Sequence, residues 1–278
     1  MQNNATSGIA LLITAVALLA YSSIAFLGTE YLLGGNHLTA IALTLMGVVI
    51  LVYCIYVMCK SKASRNKQSG LPREILSIII VVLLLFVGSI PFTQFFYIHD
   101  HQEELQTTLN ETTARLGEVD SLYASYARHR IADYRKQLHK KHIGKSKAKA
   151  MEVSLERRLI PESFDTIRLE RQEWLRTFHD VSVWSIFTPR KLHHLMEQEK
   201  QWNEQYNILS SVIYQNEKAE PFTHDSTALV ASIQLSPYLS PQKADGRSML
   251  MMAACCLLIL TTYFHIRRPK NRYEGNHR

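Results

Sequence analysis

The sequence predicts an all-α integral membrane protein, with four transmembrane helices and a helical-bundle or coiled-coil outer domain between spans 3 and 4. Apolar residues make up 47% of the 278 residues, and most of them lie in four long stretches. Lysine and arginine residues are concentrated beside some of these stretches. The polar segment between the last two stretches has an apolar spacing that is typical of helices. These three observations exclude a soluble globular fold.

The four apolar stretches are long enough to cross a bilayer. They contain no Asp, Glu, Lys or Arg and are 19 to 24 residues long. At about 1.5 Å per residue, such helices cover a hydrocarbon core of about 30 Å. The stretches run from Gly8 to Leu27, Thr39 to Cys59, Ile75 to Ile98 and Ser248 to Ile266. We therefore expect three transmembrane helices with short loops in residues 1–98, and a fourth with a short basic tail in residues 248–278.

The net charge of +7 is located in two short segments. Loop 60–74 and tail 267–278 each carry a net charge of +4, whereas segment 99–247 contains 21 basic and 21 acidic residues. Because short cytoplasmic loops are enriched in Lys and Arg, both basic segments are expected on the cytoplasmic side of the cytoplasmic (inner) membrane. Both termini then lie inside and residues 99–247 outside. Charge beside the spans indicates the lipid bilayer as a partner and argues against nucleic-acid binding.

A long helix is predicted over residues 99–142, at the start of the outer domain. Apolar and aromatic residues recur there at alternating heptad positions, and the stripe then shifts by one place. The stripe consists of Leu105, Leu109, Leu116, Val119, Tyr123 and Tyr126, followed by Ile131, Tyr134 and Leu138. This spacing suits a bundle helix as well as a coiled coil.

Further helices follow, and they are predicted over about residues 146–160, 162–186 and 189–217. Thr188 followed by Pro189 is typical of a helix start, since threonine is a good N-cap and proline is tolerated in the first turn. From residue 221 to residue 247 the composition changes to Ser, Pro, Thr and Gln. One short helix through Leu235 and an extended connector are expected there.

The sequence contains no motif for catalysis or metal binding. There is no nucleophile elbow, phosphate-binding loop, HExxH or paired-cysteine metal pattern. His139 and His142 lie three residues apart on one face of the predicted helix, but Lys140 and Lys141 lie between them and oppose cation binding. We therefore expect no enzymatic activity, no cofactor and no metal ion.

All four cysteines lie within or at the edges of the apolar stretches, so the outer domain has no disulfide. The topology of a small first and a large second external loop is similar to that of tetraspanins. That family has a Cys-Cys-Gly motif and paired cysteines in the large loop, and residues 99–247 contain neither. A cysteine-free outer domain favours a bacterial cell envelope, because it folds without an oxidising compartment.

A basic cluster distinguishes the predicted long helix and the residues after it. Residues 128–149 carry nine bases and one acid, whereas residues 99–127 carry six acids and one base. The cluster comprises Arg128, Arg130, Arg135, Lys136, Lys140, Lys141, Lys145, Lys147 and Lys149. It is predicted at the membrane-distal tip, as a docking site for an anionic polymer or an acidic protein surface. The alternative is a solvated helix end whose charges are balanced by acids on neighbouring helices.

These features favour a non-enzymatic scaffold or subunit of a cell-envelope complex that acts through its outer domain. The expected partners are other membrane or envelope proteins, including further copies of this chain. A membrane sensor that signals to a separate cytoplasmic partner is the alternative, because the cytoplasmic segments are too short to contain an effector. A channel or transporter is less favoured, since ionisable groups usually mark ion paths and the four stretches contain no Asp, Glu, Lys or Arg.

Overall fold

The computed structural model describes residues 2–63, 67–178, 181–211, 213, 222 and 230–266. Helices account for 86% of the described residues, and none of these residues lies in a strand. The predicted all-α class is therefore confirmed. The chain divides into two compact units. Unit 1 comprises residues 1–101, 183–190 and 238–278, and unit 2 comprises residues 102–182 and 191–237.

Ten helices lie within the described residues. In chain order they are α1 (Gln2–Leu32), α2 (His37–Ala63), α3 (Lys67–Asp100), α4 (Gln102–Lys140), α5 (Lys145–Leu159), α6 (Phe164–Leu175), α7 (Thr188–Ser211), α8 (Val230–Leu239), α9 (Gly246–Ile259) and α10 (Thr261–His265). The first three contain segments that are long and apolar enough to cross a membrane, namely Gly8–Leu32, His37–Ala63 and Leu71–Asp100. The first three predicted spans thus coincide with helices of sufficient length.

The outer surface of these three helices is apolar. Leu12 on α1, Leu45 on α2 and Leu83 on α3 are exposed by 64%, 61% and 59%. Soluble monomers rarely have large apolar patches, because contact with water is unfavourable by about 25 cal/mol per Å² of apolar surface. The length and the surface of α1 to α3 therefore support a membrane protein.

The predicted fourth span is divided between two helices. α9 is an apolar helix of 14 residues, and its length of about 21 Å is shorter than a hydrocarbon core of about 30 Å. It ends at Ile259, and α10 begins at Thr261. The Thr14 hydroxyl of α1 donates to the Ile259 carbonyl at 3.2 Å, so this carbonyl has a side-chain partner at the break. A single continuous fourth transmembrane helix is not confirmed.

Unit 1 has a close helix contact at Gly28 of α1. A Cβ atom at this position would lie 1.9 Å from the Pro91 carbonyl oxygen of α3, so the contact requires glycine. Small residues allow helix backbones to approach closely in apolar surroundings. Tyr21 and Phe92 pack beside this contact, with ring centroids 5.3 Å apart. These contacts fix the register of α1 against α3.

Unit 2 is built around α4. The predicted apolar stripe lies on its buried face, where Leu105, Leu109 and Tyr123 have at most 2% of their surface exposed. α4 packs against α5 and α6 of the same chain. The Tyr123 hydroxyl donates to the Leu159 carbonyl at 3.0 Å, and the Tyr123 ring stacks on Tyr206 with centroids 4.5 Å apart. The stripe therefore packs within the chain.

The third predicted outer helix is shorter than expected. α6 ends at Leu175, whereas the apolar spacing predicted a helix to residue 186. Beyond α6, the backbone N–H of Val181 donates to Gln106 Oε1 at 2.9 Å, and the Val181 carbonyl accepts from Gln102 Nε2 at 3.3 Å. Because two α4 side chains satisfy these backbone groups, this part of the chain needs no helical hydrogen bonds.

Among the described residues of the predicted connector, the expected short helix corresponds to α8, which ends at Leu239 rather than at the predicted Leu235. The carboxylate of Glu199 on α7 accepts hydrogen bonds from the backbone N–H groups of Ala231 and Ser232, at 2.8 and 3.0 Å. A carboxylate here satisfies free N–H groups and complements the positive end of the helix dipole. A contact from α7 thus stabilises a helix in a proline-containing segment.

Candidate functional site

The exposed basic residues predicted from the sequence surround the turn between α4 and α5. We use the name basic tip for five of them, Lys140, Lys141, Lys145, Lys147 and Lys149, all of which are exposed. None of these five lysines forms an ion pair with another described residue. The two helix ends beside this turn thus carry five positive charges without an ion-pair partner.

The turn at the basic tip has the hydrogen bonds of a Schellman motif. The backbone N–H of His142 donates to the His139 carbonyl at 3.2 Å, and the N–H of Ile143 donates to the Leu138 carbonyl at 3.5 Å. His142 has a φ angle of +57°, a left-handed conformation that helix ends usually assign to glycine. A side chain there is unfavourable by about 1–2 kcal/mol. The turn between the two helices therefore includes a strained residue.

The N-terminus of α5 is also basic. Gly144 occupies the N-cap position and makes no side-chain hydrogen bond to the helix. Lys145 and Lys147 lie in the first turn, which contains no acidic residue. Because a helix N-terminus carries partial positive charge and N–H groups without intrahelical partners, lysines are unfavourable there. An anionic group bound at this end would offset both effects.

Two further residues of the predicted cluster form ion pairs within unit 2. Arg135 of α4 forms an ion pair with Glu152 of α5, and this hydrogen bond lowers the pKa of Glu152. Lys136 pairs with Asp133 at 3.0 Å on the surface of α4. The Arg135 pair joins the two arms of the α4–α5 hairpin, whereas exposed pairs within one helix contribute little to stability.

Arg130 is not part of the exposed cluster. It is buried and donates to the Ser210 carbonyl of α7 at 2.5 Å. Ala127, Ile131 and Tyr134 are buried with it on the inner face of α4. In the sequence, the helical spacing of these three neighbours indicated that Arg130 lies on the buried face of α4. The run of charges around Arg130 instead suggested a solvated residue. Arg128, in contrast, is exposed.

The two histidines near the tip do not share a helix face. His139 lies in the last turn of α4, whereas His142 lies beyond the helix in the left-handed position. The helical spacing that predicted a common face therefore does not apply to them. Across the described residues, no group of three or more His, Cys, Asp or Glu side chains is placed to hold a metal ion.

A buried polar cluster fixes α4 in unit 2. Arg171 Nη1 of α6 lies 3.0 Å from Asp120 Oδ1 of α4 and donates to the Tyr206 hydroxyl of α7 at 2.6 Å. The guanidinium also lies over the Trp202 ring, 4.9 Å from its centroid. Burial raises the pKa of Asp120, and the charge of Arg171 opposes this rise. The cluster joins the helix that ends at the basic tip to α6 and α7.

Unit 1 contains a buried polar pair that sequence reasoning missed. Glu30 at the end of α1 has no exposed surface, and its Oε1 lies 2.8 Å from Nδ1 of His37 at the start of α2. Glu30 Oε2 and His37 Nε2 are buried and have no hydrogen-bond partner within the described chain. The turn between them contains Gly34 and Gly35, with φ angles of +58° and +81°. This double glycine was a sequence signal for the close approach of the two helix ends.

Segment 183–190 packs onto this pair within unit 1. Phe187 meets the His37 ring edge-on, with centroids 6.1 Å apart. A Cβ atom on Gly35 would lie 2.5 Å from the backbone of Arg190. Trp184 packs on Phe95 of α3 in the same way, at 5.0 Å. The segment thus covers the turn between α1 and α2.

No protein-family model matches this chain, and comparisons with curated proteins and with solved structures give no match either.

Proposed function

We propose that this protein is a non-enzymatic scaffold or subunit of a cell-envelope complex, and that it binds an acidic partner through the basic tip. The observation that carries this proposal is the set of exposed, unpaired lysines around the uncapped N-terminus of α5. Like charges at this end destabilise the isolated helix, whereas an acidic surface would pair with them. The proposed partners are other membrane or envelope proteins, and self-association is the alternative.

The proposed topology places both termini in the cytoplasm and residues 99–247 outside the cytoplasmic membrane. The two segments of net charge +4 support it, since Lys and Arg in short loops remain inside. We propose that α9 and α10 form the fourth span together, because Gly246 to His265 would extend about 30 Å as a helix. The hydroxyls of Thr14 and Thr262 lie 2.7 Å apart near the break, which suits a membrane interior where polar groups need protein partners.

The outer domain is proposed to act as a helical bundle and not as an intermolecular coiled coil. The buried stripe of α4 supports this, because those apolar residues already pack within unit 2. A partner would then contact the charged surface at the α4–α5 turn. Charged surfaces of this kind mainly affect the rate and specificity of association.

The test is photo-crosslinking in intact cells. A photoreactive residue replaces Ser146, which is exposed between Lys145 and Lys147, so that removing lysines does not change the crosslinking chemistry. The captured proteins are identified by mass spectrometry. A second chain carries Lys→Gln changes at Lys140, Lys141, Lys145 and Lys147. We expect this variant to capture the acidic partner about tenfold less, with the largest difference at low ionic strength.

A control variant removes the same number of charges elsewhere in unit 2. It carries Gln in place of four other exposed basic residues, Arg115, Arg157, Lys191 and Lys200. Partner capture should stay at the level of the unchanged chain in this control. Equal capture by the tip variant, or an equal loss in the control, contradicts the role of the basic tip.

The second candidate function is a membrane sensor that signals to a separate cytoplasmic partner. The Glu30–His37 pair favours it, because two buried polar atoms without partners form an arrangement that a proton or ligand can alter. A sensor should change its crosslinked partners when a stimulus is applied, and Glu30→Gln should abolish this change. A scaffold should give the same crosslinks under all conditions.

A further inference from the structure

A groove of about 470 Å³ lies between α2 and α3 in unit 1. Its lining residues recur every three or four positions on each helix, so they form two facing strips. One end is polar and contains Lys60, Ser61 and Arg73. The rest is mainly apolar and includes Val57, Leu76 and Ile80. The groove is thus amphipathic along its length.

The charges at the polar end are available to a ligand. Lys60 and Arg73 are exposed, and none of the described residues that line the groove is Asp or Glu. The next lysine, Lys62, instead donates to the Tyr263 carbonyl of α10 at 2.7 Å and lies over the Tyr263 ring. The nearby Glu74 accepts a hydrogen bond from the Tyr263 hydroxyl. Lys60 and Arg73 therefore supply two positive charges to this end of the groove.

The apolar end of the groove is formed by the candidate membrane-spanning segments of α2 and α3. Ser61 and Tyr53, at the two ends of the α2 strip, are separated by about 12 Å of helix rise. Val57 falls within the candidate span His37–Ala63, and Ile80 falls within Leu71–Asp100. A molecule that fills this groove would thus extend from a basic helix end toward the hydrocarbon region.

We propose that this groove binds one anionic phospholipid of the cytoplasmic leaflet. Lys60, Ser61 and Arg73 hold the phosphate, since a guanidinium and an ammonium both donate strong hydrogen bonds to phosphate oxygens. The first part of an acyl chain lies along Val57, Leu76 and Ile80. Basic pockets between transmembrane helices on the cytoplasmic side are a known site for anionic headgroups. This inference rests on the membrane topology given under Proposed function.

The test is native mass spectrometry of the full-length protein in detergent, titrated with phosphatidylglycerol, phosphatidylcholine or inorganic phosphate. We expect one phosphatidylglycerol to bind more tightly than phosphatidylcholine. In Lys60→Gln/Arg73→Gln, phosphatidylglycerol binding should weaken about 25-fold, because each basic residue near an anionic lipid contributes about fivefold. Lys60→Arg/Arg73→Lys keeps both charges and should retain most of the binding. Retained binding in this charge-preserving variant would show that substitution at these two positions does not by itself disrupt the groove.

Two variants separate a lipid site from a simple phosphate site and from general charge. Val57→Trp fills the apolar part, keeps both charges and should weaken phosphatidylglycerol binding at least about tenfold. Lys191→Gln/Lys200→Gln removes two exposed charges from α7 and should bind phosphatidylglycerol like the unchanged protein. Inorganic phosphate should not displace the lipid.

Each contrary result has a distinct meaning. Unchanged phosphatidylglycerol binding in Lys60→Gln/Arg73→Gln overturns the groove proposal. Displacement by inorganic phosphate, or full binding by Val57→Trp, overturns the assignment to a phospholipid. Recovery of the chain from cells without detergent contradicts the membrane topology itself. A detergent-dependent chain that binds both lipids equally contradicts the groove alone.

Discussion

The guanidinium of Arg171 lies 3.0 Å from the carboxylate of Asp120, and both side chains are at least 90% buried between α4 and two other helices of unit 2. A buried charge pair costs much desolvation free energy, which only good geometry and further hydrogen bonds offset. The Tyr206 hydroxyl and the Gln205 side-chain carbonyl accept two further hydrogen bonds from Arg171. The pair thus makes the packing of α4 sensitive to single substitutions.

Arg171→Met should lower the free energy of unfolding by about 3–5 kcal/mol, because it leaves the buried Asp120 carboxylate without its positive partner and with only the Tyr206 hydroxyl donating to it. The double variant Asp120→Leu/Arg171→Met should recover most of this loss. Thermal unfolding of the full-length protein in detergent, followed by circular dichroism, measures both effects. A double variant that is less stable than Arg171→Met would contradict this account.

The stability of Arg171→Met should also depend on pH. Burial raises the pKa of Asp120, and the variant lacks the arginine that opposes this rise. The folded variant then binds a proton at a pH where the unfolded chain does not, so its stability increases as pH falls through the raised pKa. Unfolding measured from about pH 8 to about pH 5 should show a shrinking difference from the unchanged protein. A difference that grows toward low pH would have the wrong sign.

Gly28→Ala should destabilise the packing of α1 against α3. The new Cβ atom would meet the Pro91 carbonyl, so the two helices must separate, which costs about 1–3 kcal/mol. Gly47→Ala is the matched control, since Gly47 lies in α2 with open space around it. Melting temperatures in detergent should fall for Gly28→Ala and stay equal or rise for Gly47→Ala. Equal melting of the two variants would argue against a close contact at Gly28.

His142→Gly should stabilise the α4–α5 hairpin by about 1 kcal/mol, because glycine adopts a positive φ angle without a side-chain penalty. His139→Gly is the control, since His139 lies inside the helical turn and glycine is unfavourable there. The two substitutions should therefore shift the unfolding temperature of unit 2 in opposite directions. A destabilising His142→Gly would imply a side-chain role for this histidine.

His37→Ala should destabilise unit 1 more than Glu30→Gln. Removing the imidazole leaves the buried Glu30 carboxylate without its only assigned partner among the described residues, at a cost of at least about 2 kcal/mol. Glu30→Gln removes the charge but retains a carbonyl acceptor for His37. Thermal unfolding in detergent ranks the two variants. The reverse ranking would show that His37 packs at this site without stabilising the carboxylate.

Reporter fusions test the topology independently of these contacts. Fusions after Lys62 and Arg272 should report the cytoplasm, and a fusion after Gln215 should report the outside, because of the two basic segments. An external Lys62 would invert the arrangement of the first three helices. A cytoplasmic Gln215 with a cytoplasmic Lys62 would remove the outer domain from the proposal.

Local signals in the sequence predicted most helices. α5 and α7 begin within one residue of their predicted starts, because turn residues and apolar periods depend only on nearby positions. Long-range contacts could not be predicted in this way. The backbone of Val181, beyond α6, is bound by two glutamines of α4, and the N–H of Ala231 in α8 is bound by Glu199 of α7.

The same limit applies to the candidate site. The run of charges marked the lysines that are exposed at the α4–α5 turn, since the charge of a residue is known from the sequence without a fold. Arg130 belongs to the same run of charges but is buried in unit 2. It donates there to the Ser210 carbonyl, 80 positions away in the sequence. The Glu30–His37 pair forms because a turn with positive φ angles joins α1 to α2. The hydropathy of the two helices does not reveal such a turn.

The two units are interleaved along the chain, since residues 183–190 belong to unit 1 while the segments on both sides belong to unit 2. Neither unit is a continuous stretch that a single truncation can remove. A deletion of residues 102–237 would also take Phe187 from His37 and Arg190 from Gly35. This deletion is therefore expected to expose the α1–α2 turn of unit 1, so its phenotype would reflect the loss of contacts in both units.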